Sequence, residues 1–120
     1  MAYDEKLADR IRELLADKKG ITEQRMFGGL AFLIGGNMAV AASGQGGILV
    51  RVDPTDSERL LATTSAQPME MRGRTMRGWL RVDEDGIRTK RQLAVWVSRG
   101  VTYALSLPAK TRRSPNRRPR

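Results

Sequence analysis

The stretch TEQRMFGGLAFLIGGNMAVAASGQGGILVRV, residues 22–52, decides the fold. Seven of the chain's 12 glycines fall inside it and cut its apolar residues into runs too short for helices. Short apolar runs punctuated by Gly35-Gly36-Asn37 and Gly44-Gln45-Gly46-Gly47 are the pattern of antiparallel hairpins, because glycine reaches the positive φ that tight turns demand. Strands are expected at about 23–28, 30–34, 38–43 and 48–52. The first two read as separate strands or as one bent strand in which Gly28 and Gly29 permit a bulge. Leu30, Phe32 and Ile34 alternate onto one face.

Upstream, Leu7, Ile11, Leu14 and Leu15 recur at helical spacing and predict a helix over residues 4–18, capped by Asp4 and ended by Gly20. Downstream, Asp53-Pro54 is a helix start, since Asp caps the first amides and Pro presets the first helical φ. That helix should run to about Ala62, followed by a polar loop from Thr63 to Pro68. Met69 and Met71 alternate with Glu70 and Arg72 as in an edge strand, and a further strand is expected over Gly78–Val82. Asp83-Glu84-Asp85-Gly86 turns the chain. Thr89 and Gln92 then have the spacing of a capping box, opening a last helix with Leu93, Trp96, Val97, Val101, Ala104 and Leu105 on its apolar face and Pro108 past its end. Residue 100 is a glycine inside that helix, a position that permits close approach to the sheet or to a second subunit. The expected architecture is α+β, in the order helix, three or four strands, helix, two strands, helix, with the helices on one face of a mainly antiparallel sheet.

The chain has 120 residues, 40% of them hydrophobic and 29% charged, enough for one domain with a real core. It has no cysteine and no histidine, which excludes disulfides, zinc sites of the Cys/His type, thiol nucleophiles and His-based triads. Neither a cofactor nor a metal site is expected: Asp83, Glu84 and Asp85 lack the alternating spacing of a calcium loop, and Asp53 and Asp56 read as capping groups. Gly44-Gln45-Gly46-Gly47 is followed by a strand, where a phosphate-binding loop needs a helix. From an acidic start and the absence of a long apolar run, a cytoplasmic protein with no membrane span is expected.

Charge is uneven. Of the 22 Lys and Arg, six (Lys110, Arg112, Arg113, Arg117, Arg118, Arg120) lie in residues 110–120 with no acid, so the rest of the chain carries 16 cations against 13 carboxylates. Residues 109–120 are therefore expected to form a disordered basic tail behind a domain of residues 1–108, able to attract nucleic acid through Lys110, Arg112, Arg113, Arg117 and Arg118. A second cationic group, Arg72, Arg74, Arg77 and Arg81, surrounds Trp79. On an extended segment Arg77, Trp79 and Arg81 would share a face suited to phosphate contact and base stacking, although a buried Trp79 among ordinary surface arginines is the simpler reading. The six methionines either fill gaps in the core or make an adaptable binding surface.

The segments Arg25-Met26-Phe27-Gly28-Gly29, Gly36-Asn37-Met38-Ala39, Leu49-Val50-Arg51-Val52, Pro68-Met69, Met76-Arg77-Gly78-Trp79 and the closing helix with Trp96-Val97 resemble the N-terminal domain of the TfoX/Sxy family. The resemblance implies a small two-layer α+β domain of secretion-chaperone-like topology. It also implies a part in transcription regulation, since full-length members are linked to natural competence beside a cyclic-AMP receptor-type factor. Those members carry a second, helical C-terminal domain where this chain has its Arg-rich tail. The family supplies no catalytic residues, so the expectation is a non-enzymatic module that meets a protein partner, with homodimerisation left open. Arg25, Met26, Phe27, Gly28 and Gly29, the most distinctive motif, read as a structural strand bend in preference to a contact surface. Direct nucleic-acid binding by the body and tail is the alternative, and a small-ligand protein or enzyme the third.

Overall fold

Four strands form from the glycine-punctuated stretch: β1 (Ile21–Met26), β2 (Gly29–Ile34), β3 (Asn37–Ala42) and β4 (Ile48–Arg51). They belong to a computed structural model that describes residues 3–26, 28–71 and 73–108. Two more strands, β5 (Gln67–Met71) and β6 (Arg74–Val82), complete a six-stranded sheet in the order β1-β2-β3-β4-β6-β5, with every neighbouring pair antiparallel. Three helices accompany it: α1 (Glu5–Leu14), α2 (Pro54–Thr63) and α3 (Lys90–Ser106).

The alternative of one bent strand over 23–34 is overturned. β1 and β2 pair with each other from Ile21↔Ile34 to Met26↔Gly29, so the chain reverses fully between Met26 and Gly29, with Gly28 at a φ of +73°. Gly29 has a separate constraint, because a Cβ there would meet the carbonyl oxygen of Ala42 on β3.

One face of the sheet holds the main core. Leu30, Phe32, Val40, Val50 and Leu80 point into it, and Leu7, Ile11, Leu60, Leu93, Trp96 and Val97 close it from the three helices. Phe32 is wholly buried at its centre. Removing that ring would cost about 3–5 kcal/mol through lost burial and the cavity left behind. Asp4 caps α1 by accepting from the Lys6 and Leu7 amides at 2.9 and 3.3 Å. The Thr89–Gln92 capping box on α3 is present in both directions, with bonds of 2.9 and 3.1 Å.

Three local expectations need correction. α1 ends at Leu14 and not at residue 18; Leu15 still reaches the core from the cap, and Gly20 (φ +76°) belongs to the turn into β1. β6 begins at Arg74, four residues before Gly78, because the β5–β6 hairpin extends its ladder to Met71↔Arg74. Leu105 leaves the apolar row of α3 and is 62% exposed. Gly100 approaches the sheet, since a Cβ there would meet the Ala39 carbonyl oxygen and stand 3.4 Å from Val50 Cγ1. No described helix is long and apolar enough to cross a membrane.

Candidate interaction surface

Antiparallel Cα partners point to the same side of a sheet, so the register identifies the face that the helices leave alone. One row crosses all six strands, Gln24↔Ala31↔Ala41↔Leu49↔Arg81↔Gln67, and beside it lie Thr22↔Leu33↔Met38, Arg51↔Trp79 and Met69↔Met76. These residues build a second apolar cluster separate from the main core. Ala31, Met38, Ala41, Leu49 and Met69 are buried in it, and Met26, Leu33, Met76 and Trp79 lie half-buried over them.

A bulge shapes one end of this surface. Pro68 faces Leu80 but Met69 faces Met76, so residues 77–79 of β6 stand opposite no residue of β5. Gly78 at the centre of the bulge has φ +86°, and its carbonyl oxygen accepts the Val52 amide at 2.8 Å. The bulge breaks the alternation that would place Arg77, Trp79 and Arg81 in one line. Met76 takes the place on the open face, and Arg77 projects from the bulge, exposed.

The guanidinium over Trp79 is instead that of Arg51, its cross-strand partner, 5.3 Å from the Trp79 ring centroid and 5.5 Å from that of Tyr103 on α3. Arg81 is half-buried and turned to the β3–β4 hairpin, donating to Ser43 Oγ at 3.4 Å and to the Gly46 carbonyl at 3.5 Å. Arg74 is exposed and, as the partner of Met71 at two residues from Met76, lies on the open face. Arg72, Phe27 and residues 109–120, which include Lys110, Arg112, Arg113, Arg117 and Arg118, lie outside the described residues. Arg25 is exposed but faces the helix side opposite Leu30, Met26 faces the open side, Gly28 lies in the turn and Gly29 opens β2 as the partner of Met26.

The six strands carry two carboxylates, and neither faces the open side. Glu23, paired with Phe32, is on the helix side, where Arg12 of α1 holds it through Nε and Nη2 at 2.7 and 2.8 Å. Those bonds hold the Glu23 carboxyl below its ordinary pKa. Glu70, paired with Thr75, alternates away from Met69.

Other candidate groups have local structural partners. Asp53 accepts from the Thr55 amide at 2.9 Å and the Thr55 hydroxyl at 2.8 Å, which lowers its pKa, and Asp56 pairs with Arg59 at 3.4 Å. Both carboxylates line a cleft of about 310 Å³ between α2 and α3, with Arg99 and Tyr103 across it. Asp83 caps the single 3-10 turn Glu84–Ile87, and Asp85 pairs with Arg88. No cluster of three metal-ligating side chains occurs among the described residues.

Sequence reading missed Arg51, Leu33 and Leu49 as residues on the open side of the sheet. Strands that are apolar on both faces hide their alternation. The usable signal was Leu49 and Arg51 at a spacing of two, which puts a cation beside an apolar residue on one side.

A family described as the TfoX N-terminal domain matches the chain over residues 13–104, from the last turn of α1 almost to the end of α3. The match takes in all six strands and the whole open face. No curated protein matches the chain.

Proposed function

The chain belongs to the TfoX N-terminal domain family, and from that premise we propose that it is a non-enzymatic interaction module acting in transcription regulation. Its open sheet face is the surface that meets a protein partner. The observation that carries this reading is the second apolar cluster, over which half-buried Leu, Met and Trp side chains lie on the face opposite the helices. Methionines on such a surface adapt to a partner's side chains, and a half-buried Trp is a common energetic anchor of interfaces. The residue types support binding over turnover. With no Cys or His, and with Asp53 and Asp56 engaged in a cap and an ion pair, the α2–α3 cleft offers no activated base or nucleophile among the groups described. The basic residues of 110–120 would add a nonspecific attraction to DNA near the partner.

The test is capture from the native cytoplasm with the full chain and with a Met76→Ser variant, which trims the open face at a hairpin without entering the main core. The expected result is a transcription-associated protein retained by the wild type and lost by the variant. Recovery of no such protein, or equal recovery by both, would overturn the reading.

A further inference from the structure

The charge distribution around the open face narrows the kind of partner it fits. At the β5–β6 end, Met69, Met76 and Trp79 form an apolar island, Arg51 lies over Trp79, Arg74 stands beside Met76 on the same side, and Arg77 projects from the bulge between Met76 and Trp79. None of these three arginines forms an ion pair among the described residues, whereas Arg12, Arg59 and Arg88 each hold a carboxylate. The two strand carboxylates, Glu23 and Glu70, face the other side. The acidic turn at Asp83–Asp85 follows the far end of β6, where it shares a cleft with Arg81. Apolar contact area and positive charge without an ion pair among the described residues therefore coincide at one end of the sheet, with Arg74 on the open face, Arg51 between the Trp79 and Tyr103 rings, and Arg77 exposed at the bulge.

We propose that this end binds an acidic segment of a protein partner, whose apolar side chains rest on Met69, Met76 and Trp79 while its carboxylates meet Arg51, Arg74 and Arg77. The inference rests on the docking reading above. Guanidinium groups recognise carboxylates with paired, directional hydrogen bonds, and thioether side chains mould to apolar groups of varied shape. A single-stranded nucleic acid fits less well. Such ligands need successive aromatic platforms, and Trp79 is the one described aromatic on this face, already overlaid by Arg51.

The experiment uses the full 120-residue chain and three fluorescent probes. Two are amphipathic peptides with the same leucine pattern, one with Glu and one with Lys at the polar positions; the third is an oligo(U) strand. Anisotropy is read at low and moderate salt. Because the tail attracts any anion, two variants of equal charge change are compared: Arg74→Glu with Arg77→Glu, and Arg112→Glu with Arg113→Glu, each checked for native circular dichroism. The Glu peptide is expected to bind, the Lys peptide not, with about a tenfold loss in the first variant and less than twofold in the second. Met76→Ser should weaken the Glu peptide without altering its salt dependence. Equal losses in the two variants, equal binding of both peptides, binding of neither, or tighter binding of oligo(U) through Arg74 and Arg77 would each overturn the proposal. If the peptides fail while native capture is still abolished by Met76→Ser, the acidic partner is wrong and the docking face stands. If capture is also insensitive, the docking reading falls with it.

Discussion

Replacing Gly100 by Ala sets two effects of opposite sign against each other. In an exposed helix the change would stabilise the protein by about 1 kcal/mol, because glycine is the poorer helix former. In α3 the new methyl would meet the Ala39 carbonyl oxygen, with the Ala39 carbonyl carbon at 2.9 Å and Val50 Cγ1 at 3.4 Å. Val50 can give by a few tenths of an ångström. The Ala39 carbonyl gives less: Ala39 is a bulged residue opposite no residue of β2, but it is backbone held on either side by the pairs Met38↔Leu33 and Val40↔Phe32. The helix must therefore lift, loosening Trp96, Val97, Val101 and Ala104 against the core. Overpacking of this kind costs about 1–3 kcal/mol, and a contact with backbone places it near the upper end. Net of the propensity gain, the variant should be less stable by about 2 kcal/mol, a fall in melting temperature of roughly 8 °C for a domain of this size. Thermal and urea unfolding followed by circular dichroism would measure it. A variant as stable as the wild type, or more so, would refute the close approach of α3 to the sheet.

Other consequences follow from the same contacts. Thr89→Ala removes the hydroxyl that accepts the Gln92 amide at 3.1 Å and should cost about 1 kcal/mol in urea unfolding, concentrated in the first turn of α3 by hydrogen exchange. Glu23→Gln should cost about 0.5 kcal/mol at neutral pH, a small figure because the Arg12 and Glu23 side chains are 42% and 37% exposed. The native carboxyl of Glu23 titrates below its ordinary 4.5, so its contribution is present above that value and disappears as the pH falls through the lowered native one; the difference from Gln should vanish there. Removing residues 109–120 should weaken DNA binding and flatten its dependence on salt, measured by anisotropy over a salt series, and equal affinity for both lengths would eliminate the tail's role.

The hairpins were legible because their glycines mark turns at short, regular intervals, and the caps at Asp4, Asp53 and Thr89 because each places an acceptor beside the amides it serves. The Gly28-Gly29 pair was ambiguous for a physical reason: glycine permits both a bulge and a reversal, and only the pairing of Met26 with Gly29 decides. The row Arg77, Trp79, Arg81 failed because alternation assumes an unbroken ladder, and Gly78 interrupts this one at a positive φ. The open face was the least legible feature. Leu30–Ile34 and residues 38–42 are apolar on both sides, so no polar alternation separates the side that meets the helices from the side that does not. The methionines pointed to it in part, with Met38 and Met69 buried and Met26 and Met76 half-buried over the same cluster.

The central claim, that the sheet face turned away from the helices is the working surface, is tested most directly by position-specific photocrosslinking in the native cell. A crosslinker is placed in turn at Gln24 and Gln67, exposed ends of the row across the open face, and at Lys90 and Leu105, exposed on α3. The account predicts a common adduct with one transcription-associated protein from Gln24 and Gln67 and none from α3. The same adduct formed from Lys90 and Leu105, with none from the sheet positions, would contradict it.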